Sequence, residues 1–210
     1  MNTTYDERAY HYNISGLLSK IENVEGCVIE LGVAAGKNTI NIGRLLKSQK
    51  KKYYGFDTFS GYTQEDIDAA QNHKESLIKI QKSGRWVIDS SMVLRKIAMA
   101  DLSQTCEIIV GDIKQTVPQF IERNLDLKIA MVYIDCNAYL PTITALNSVK
   151  NNLSDDALIV VDEHRQGGET RAFLEFMPSA KMYNVADTFL QGLNFYGIWK
   201  NSSQKALENR

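Results

Sequence analysis

The sequence predicts an α/β fold built on a mostly parallel sheet covered on both faces, and three observations carry that reading. Segments with strand character alternate with segments of helical periodicity along the chain. The strand segments are near-continuous apolar runs, as expected of strands buried on both sides. Residues 27–39, Cys-Val-Ile-Glu-Leu-Gly-Val-Ala-Ala-Gly-Lys-Asn-Thr, read as a strand, a glycine turn and a helix start. Such a unit is a cradle for a nucleotide-type ligand, with a purely structural turn as the alternative.

The elements follow in order. Residues 1–13 carry Tyr5, Tyr10, His11 and Tyr12 among charges and read as an arm over a site or a partner contact, with a frayed terminus as the alternative, within an N-terminal region reaching about residue 22. Residues 14–24 have helical spacing through Leu17, Leu18 and Ile21. The first strand, 27–31, leads into a helix over 38–49, whose basic end at 47–52 suits the helix dipole. The second strand is 53–57. Residues 62–88 break the alternation as a polar, helix-prone insert that reads as a lid or binding segment, with a decorative helix as the alternative. Asp89 caps a helix through residue 100. A third strand at 106–110, a helix at 114–124 with Pro118 in its first turn, a fourth strand at 129–135 and a helix at 141–152 come next. A fifth strand at 157–163 follows a turn at Asp155-Asp156. A helix at 168–176 and two strands at 181–186 and 195–200 close the fold as an antiparallel pair. Residues 201–210 read as a polar tail.

The chain has 210 residues, 44% hydrophobic and 23% charged, which suits one globular domain over about residues 1–200. A formal net charge of -1 gives no general attraction to nucleic acid or membrane. Three widely spaced cysteines, Cys27, Cys106 and Cys136, argue against a disulfide framework or a zinc site. No secretory signal and no membrane-length apolar run is evident, so a cytoplasmic protein is expected.

The chemistry is expected at the carboxyl edge of the sheet. Glu30, Asp57, Asp135 and Asp162 end strands, and Asp112 follows one closely. Ligands of open α/β sheets bind at that edge. Massed acids there are costly unless cations or hydroxyl donors meet them, although each alone can serve as a helix cap. Asp57 stands where a second-strand acid accepts ribose hydroxyls. The turn Gly32-Val33-Ala34-Ala35-Gly36 lacks the spacing of pyrophosphate binders, and Gly36-Lys37-Asn38 is not a P-loop. A cationic, amino-acid-bearing nucleoside such as S-adenosylmethionine suits it better. Asp135, Asp162 and Glu163 are a candidate set for a hard divalent ion such as Mg²⁺, with capping and salt bridging as the alternative.

An ordered set of motifs then resembles a known family. The pieces are Glu-Leu-Gly-Val at 30–33, Tyr-Gly-Phe-Asp-Thr-Phe-x-Gly at 54–61, Gly-Asp-x-x-x-Thr-Val-Pro at 111–118, Ile-Asp-x-x-x-Tyr-x-x-Thr at 134–142 and Val-Asp-Glu at 161–163. Together they resemble the macrocin O-methyltransferase family, which includes sugar O-methyltransferases of mycinamicin and novobiocin type. The resemblance implies a class I methyltransferase fold, S-adenosylmethionine and a divalent metal, usually Mg²⁺. It implies that Glu30, Gly32, Gly36, Asp57, Thr58, Asp112, Ile113 and Asp135 bind the cofactor. The amino-acid end then lies by Glu30 and Gly32, the ribose by Asp57 and the adenine by Asp112 and Ile113. It places the metal on Asp135, Asp162 and Glu163.

The chain departs from that family's pattern at three points. Asp135-Cys136-Asn137 replaces Asp-x-Asp, whose second acid is a proposed general base; an amide cannot take that proton. Asp162-Glu163-His164 replaces Asp-Asp-Tyr, and Asp155-Asp156 replaces Gly-Gly. His164, with Asp135, is the candidate catalytic residue, as the base for an acceptor hydroxyl; holding a ligand or facing solvent are its other roles. The expected acceptor is a small hydroxylated metabolite, a sugar moiety, vicinal diol or catechol. The alternative is a cofactor-binding or assembly protein that has lost its chemistry. The tyrosine-rich start and the insert leave a homodimer as a further expectation.

Overall fold

The computed structural model describes residues 7–162, 167–184 and 195–200. The elements run α1 (Glu7–Lys20), β1 (Cys27–Leu31), α2 (Lys37–Gln49), β2 (Tyr53–Asp57), α3 (Gln64–Ala69) and α4 (Lys74–Ser83). They continue with α5 (Ser90–Met99), β3 (Cys106–Val110), α6 (Ile113–Arg123), β4 (Ile129–Ile134) and α7 (Tyr139–Val149). The chain closes with β5 (Leu153–Val161), α8 (Gly168–Phe176), β6 (Tyr183–Asn184) and β7 (Phe195–Ile198). The strands form one sheet in the order β3-β2-β1-β4-β5-β7-β6. β1 to β5 pair in parallel, while β7 runs antiparallel to β5 and β6. This is the predicted sheet, including its antiparallel end.

Strand parity divides the core into two clusters. Val28, Tyr53, Tyr133, Leu158 and Val160 face α1, α2 and α5, which contribute Leu17, Leu18, Ile42, Leu46, Val93 and Ile97. Ile29, Leu31, Phe56, Val132, Ile134 and Val161 face α6, α7 and α8, which contribute Val117, Ile121, Leu146 and Phe173. The two-sided burial explains why the strands carry so little polar alternation.

Several boundaries differ from expectation. The first helix begins by Glu7, inside the region read as an arm. Pro118 lies beyond the first turn, inside α6. Its missing N–H costs the bond to the Lys114 carbonyl, and burial of Val117 and Ile121 beside it offsets that cost. Asp155 and Asp156 lie within β5 rather than in a turn before it. Asp156 takes φ 65 there and donates its N–H to the Trp199 carbonyl at 3.0 Å, so the acids mark a strand distortion. The insert is two helices, α3 and α4, separated by a 3₁₀ turn at Gln71–His73 that Gln71 enters with φ 48. Residues 185–186 of the predicted strand, and the tail, lie outside the described residues.

Candidate active site

A cleft of about 640 Å³, its open mouth included, lies at the carboxyl ends of β1, β2 and β4. One wall is the turn after β1. Gly32 takes φ +94, and a Cβ there would sit 2.1 Å from the Asp135 carbonyl oxygen, so only glycine lets the β1 and β4 turns cross. Gly36 begins α2 at φ 75 against Val93 of α5, and a Cβ would approach that side chain to 2.8 Å. Gly36 therefore shapes the turn without lining the cleft.

Asp57 holds this turn in place. Its Oδ2 accepts the N–H groups of Val33 at 2.7 Å and Ala34 at 2.8 Å, and its Oδ1 accepts the N–H of Phe59 at 2.7 Å. Thr58 folds the next turn, donating its hydroxyl to the Gly61 carbonyl at 2.9 Å. Asp112 caps α6 by accepting the Lys114 N–H at 3.0 Å. It is thus both the helix cap read from sequence and, with Ile113, part of the cleft lining.

Of the predicted cofactor residues, Gly32, Asp57, Thr58, Asp112, Ile113 and Asp135 line the cleft. Glu30 does not. Its side chain is fully buried beneath α2, where it accepts hydroxyl protons from Thr39 at 3.0 Å and from Tyr53. Burial pushes its carboxyl up to about 8, against partial relief from Thr39 and Asn38.

Asp135 ends β4 at the cleft floor and accepts the Asn38 side-chain N–H at 3.2 Å. Burial first, then the charges of Asp162, Glu169, Glu30 and Asp57, raise its carboxyl well above the ordinary range. Asp162 accepts the Tyr133 hydroxyl at 3.1 Å beside this group. Glu163 and His164 lie outside the described residues. Among the described residues, no group of three or more His, Cys, Asp or Glu side chains is placed to hold a metal.

Sequence reasoning did not single out Glu169, Lys114, Tyr62 or Asp66. Glu169, in the first turn of α8, is fully buried and accepts the Asn137 N–H at 2.6 Å. That bond holds Asn137 at φ 55, in the left-handed region that asparagine tolerates better than most residues. Tyr62, Asp66 and Trp86 of the insert form the opposite wall. Arg85 lies over the Trp86 ring at 4.7 Å. The Thr63-Gln64-Glu65-Asp66 run, a capping box starting α3, was the available signal for Asp66.

The methyltransferase domain family matches residues 29–164, from within β1 through the end of β5. The chain belongs to that family. No curated protein sequence matches it. Among solved structures it is similar to the calicheamicin methyltransferase CalS11, with TM-score 0.73 and 18% identity over 94% of this chain and 81% of that one. The O-methyltransferase NovP is similar with TM-score 0.75 and 17% identity, over 92% of this chain and 80% of that one. An O-methyltransferase from Bacillus cereus in complex with SAH is similar with TM-score 0.58 and 14% identity, over 95% and 84%. The protein therefore has the class I methyltransferase fold that the sequence implied. No helix among the described residues is long and apolar enough to cross a membrane.

Proposed function

We propose that this methyltransferase transfers the methyl group of S-adenosylmethionine to a hydroxyl of a small-molecule metabolite, as the macrocin-type enzymes it resembles do. The observation that carries the reading is the cleft itself, in a chain that the methyltransferase family matches across most of its parallel core. Its glycine turn is pinned by Asp57, and Asp112 and Ile113, which line the same cleft, are our candidates for the adenine end. Asp57 Oδ1 accepts one backbone N–H and retains an acceptor position for a ribose hydroxyl. The structurally similar CalS11 is a TDP-rhamnose 3'-O-methyltransferase, which supports a sugar moiety as the acceptor class. Tyr62 and Trp86 suit such an acceptor, because aromatic rings pack against the apolar face of a sugar or the ring of a catechol.

Two of the three candidate ligands lie among the described residues, and their chemistry supports a hard divalent ion. Asp135 and Asp162 offer oxygen donors amid massed negative charge, and Glu163 is the third candidate. Mg²⁺ held there would lower the pKa of an acceptor hydroxyl and orient it. Methyl transfer forms one O–C bond, breaks one C–S bond and releases the hydroxyl proton. We assign that proton to His164, since Asn137 cannot take it.

Calorimetry with S-adenosylhomocysteine, followed by turnover on nucleotide-sugar and catechol panels with Mg²⁺ or EDTA, tests the reading. Cofactor binding and turnover abolished by EDTA is the expected result. Binding without turnover on any acceptor would favour a degenerate binding protein, and absence of binding would overturn the proposal. His164→Gln is expected to remove most turnover while leaving cofactor affinity intact.

A further inference from the structure

The insert supplies a wall of the cleft, yet its own apolar cluster is small: Ile67, Ala70 and Leu77, with Tyr62 and Ile78 beside them. At its base, Ser60 bridges Val87 and the Ile88 N–H reaches the Phe59 carbonyl at 3.0 Å. Gln81 braces it internally by accepting the Tyr62 N–H at 2.8 Å. These ties close the insert on itself. They do not fix where it stands over the sheet edge.

α3 also lies against α7, and one buried side chain ties the insert to the opposite wall of the cleft. Lys114, at the start of α6, places its Nζ 2.7 Å from Asp66 Oδ1 and 3.2 Å from Thr63 Oγ1, both at the head of α3. The same ammonium lies 3.2 Å from Asp112 Oδ2 and 3.7 Å from Glu65 Oε2. The Lys114 side chain is only 13% exposed and that of Asp66 only 7%. Burial works against the ammonium, but Asp66 and Asp112 outweigh it and hold its pKa above the ordinary value. Asp66 and Asp112 also line the cleft. Lys114 thus neutralises two lining carboxylates, one from each wall, and joins the walls in doing so.

We infer that Lys114 is a positioning residue that docks the insert onto the mouth of the cleft, so that retention of the methyl donor depends on it. The second half of this inference rests on the proposed function; the first half does not. A surface lysine at a helix start would do neither, because an exposed pair is worth little and leaves both partners mobile. A shielded pair leaves an uncompensated carboxylate when its cation is removed, which drives the two walls apart.

The test compares Lys114→Met, Lys114→Arg, Asp66→Asn and the Lys114→Met/Asp66→Asn double variant, all purified as full chains. Chymotrypsin cleavage within 62–88, without ligand, is expected to run about tenfold faster in Lys114→Met. The double variant is expected to be no worse than Lys114→Met, since both changes remove one interaction. S-adenosylhomocysteine is expected to dissociate about tenfold faster from Lys114→Met, with Lys114→Arg restoring most of the loss. Unchanged cleavage in a folded Lys114→Met protein, or additive effects in the double variant, would overturn the docking role. Faster cleavage with unchanged dissociation would overturn the retention role. If the wild-type protein bound no S-adenosylhomocysteine, the proposed function would fall with the retention role, and cleavage alone would decide docking.

Discussion

On one side of the cleft stand the turns after β1, β2 and β4; on the other stands the 62–88 insert. The first side is continuous with the core. Its glycine turn is fixed by two backbone N–H bonds to Asp57, which also holds its own turn through the Phe59 N–H, and by the close approach of Gly32 to the Asp135 peptide. The second side has a few apolar residues of its own, leans on α7 through α3, and is tied across the cleft by the Lys114 ion pair. A wall that belongs to the core cannot move without unfolding strands, whereas a wall held by polar ties can open while the sheet stays intact. The fold thus sets a half of the cleft that is continuous with the core against a half that is held more lightly.

Gly32→Ala should break the contrast most severely. The added methyl meets backbone at a φ hostile to L residues, and a loss of roughly 3–5 kcal/mol in global stability is expected from urea unfolding. The buried Glu30 gives the core half a pH dependence. The folded protein keeps the Glu30 proton up to about pH 8, while an unfolded chain releases it near 4.5. The folded state therefore binds more protons in that interval, and stability falls as pH rises from about 4.5 to 8, then levels off. Asp135 acts in the same direction. Glu30→Gln should flatten the Glu30 share, of the order of 3 kcal/mol, in unfolding curves measured at pH 5 and pH 8. Asp57→Asn replaces one acceptor oxygen with an N–H donor, so one or two of the three pinned N–H groups lose their partner. A loss of about 2 kcal/mol, with weaker cofactor binding, is expected by unfolding and calorimetry. Leu77→Ala should act almost wholly on the insert half. Hydrogen exchange is expected to quicken across residues 62–88, with global stability changed by under about 1 kcal/mol. An equal loss of protection in β1 and β4 would show that the two halves unfold together.

The core half was also the more legible half. Val28, Ile29 and Leu31 between Gly26 and Gly32 announce a buried strand, and the acids at successive strand ends mark the edge where ligands bind. Glu30 was harder, because the residue falls at a strand end among the other acids. Its direction depends on strand parity and on Thr39 and Tyr53 closing over it, and two-sided burial hides that parity in an apolar run. The insert half resisted reading for a different reason. Its helices carry few apolar positions, so periodicity gave their existence and not their break at Gln71. Lys114 and Asp66 are 48 residues apart, and a single ion pair at that separation leaves no pattern in one sequence.

The hydrogen bond from Asn137 to Glu169 has a consequence for anyone editing this corner of the protein. In the loop after β4 this chain carries an amide, whose backbone N–H holds the buried Glu169 side chain of α8. The electrical character of the loop is thus shared between two distant segments. An aspartate placed at position 137 would add a third acid to a corner that already holds Asp135 and Glu169.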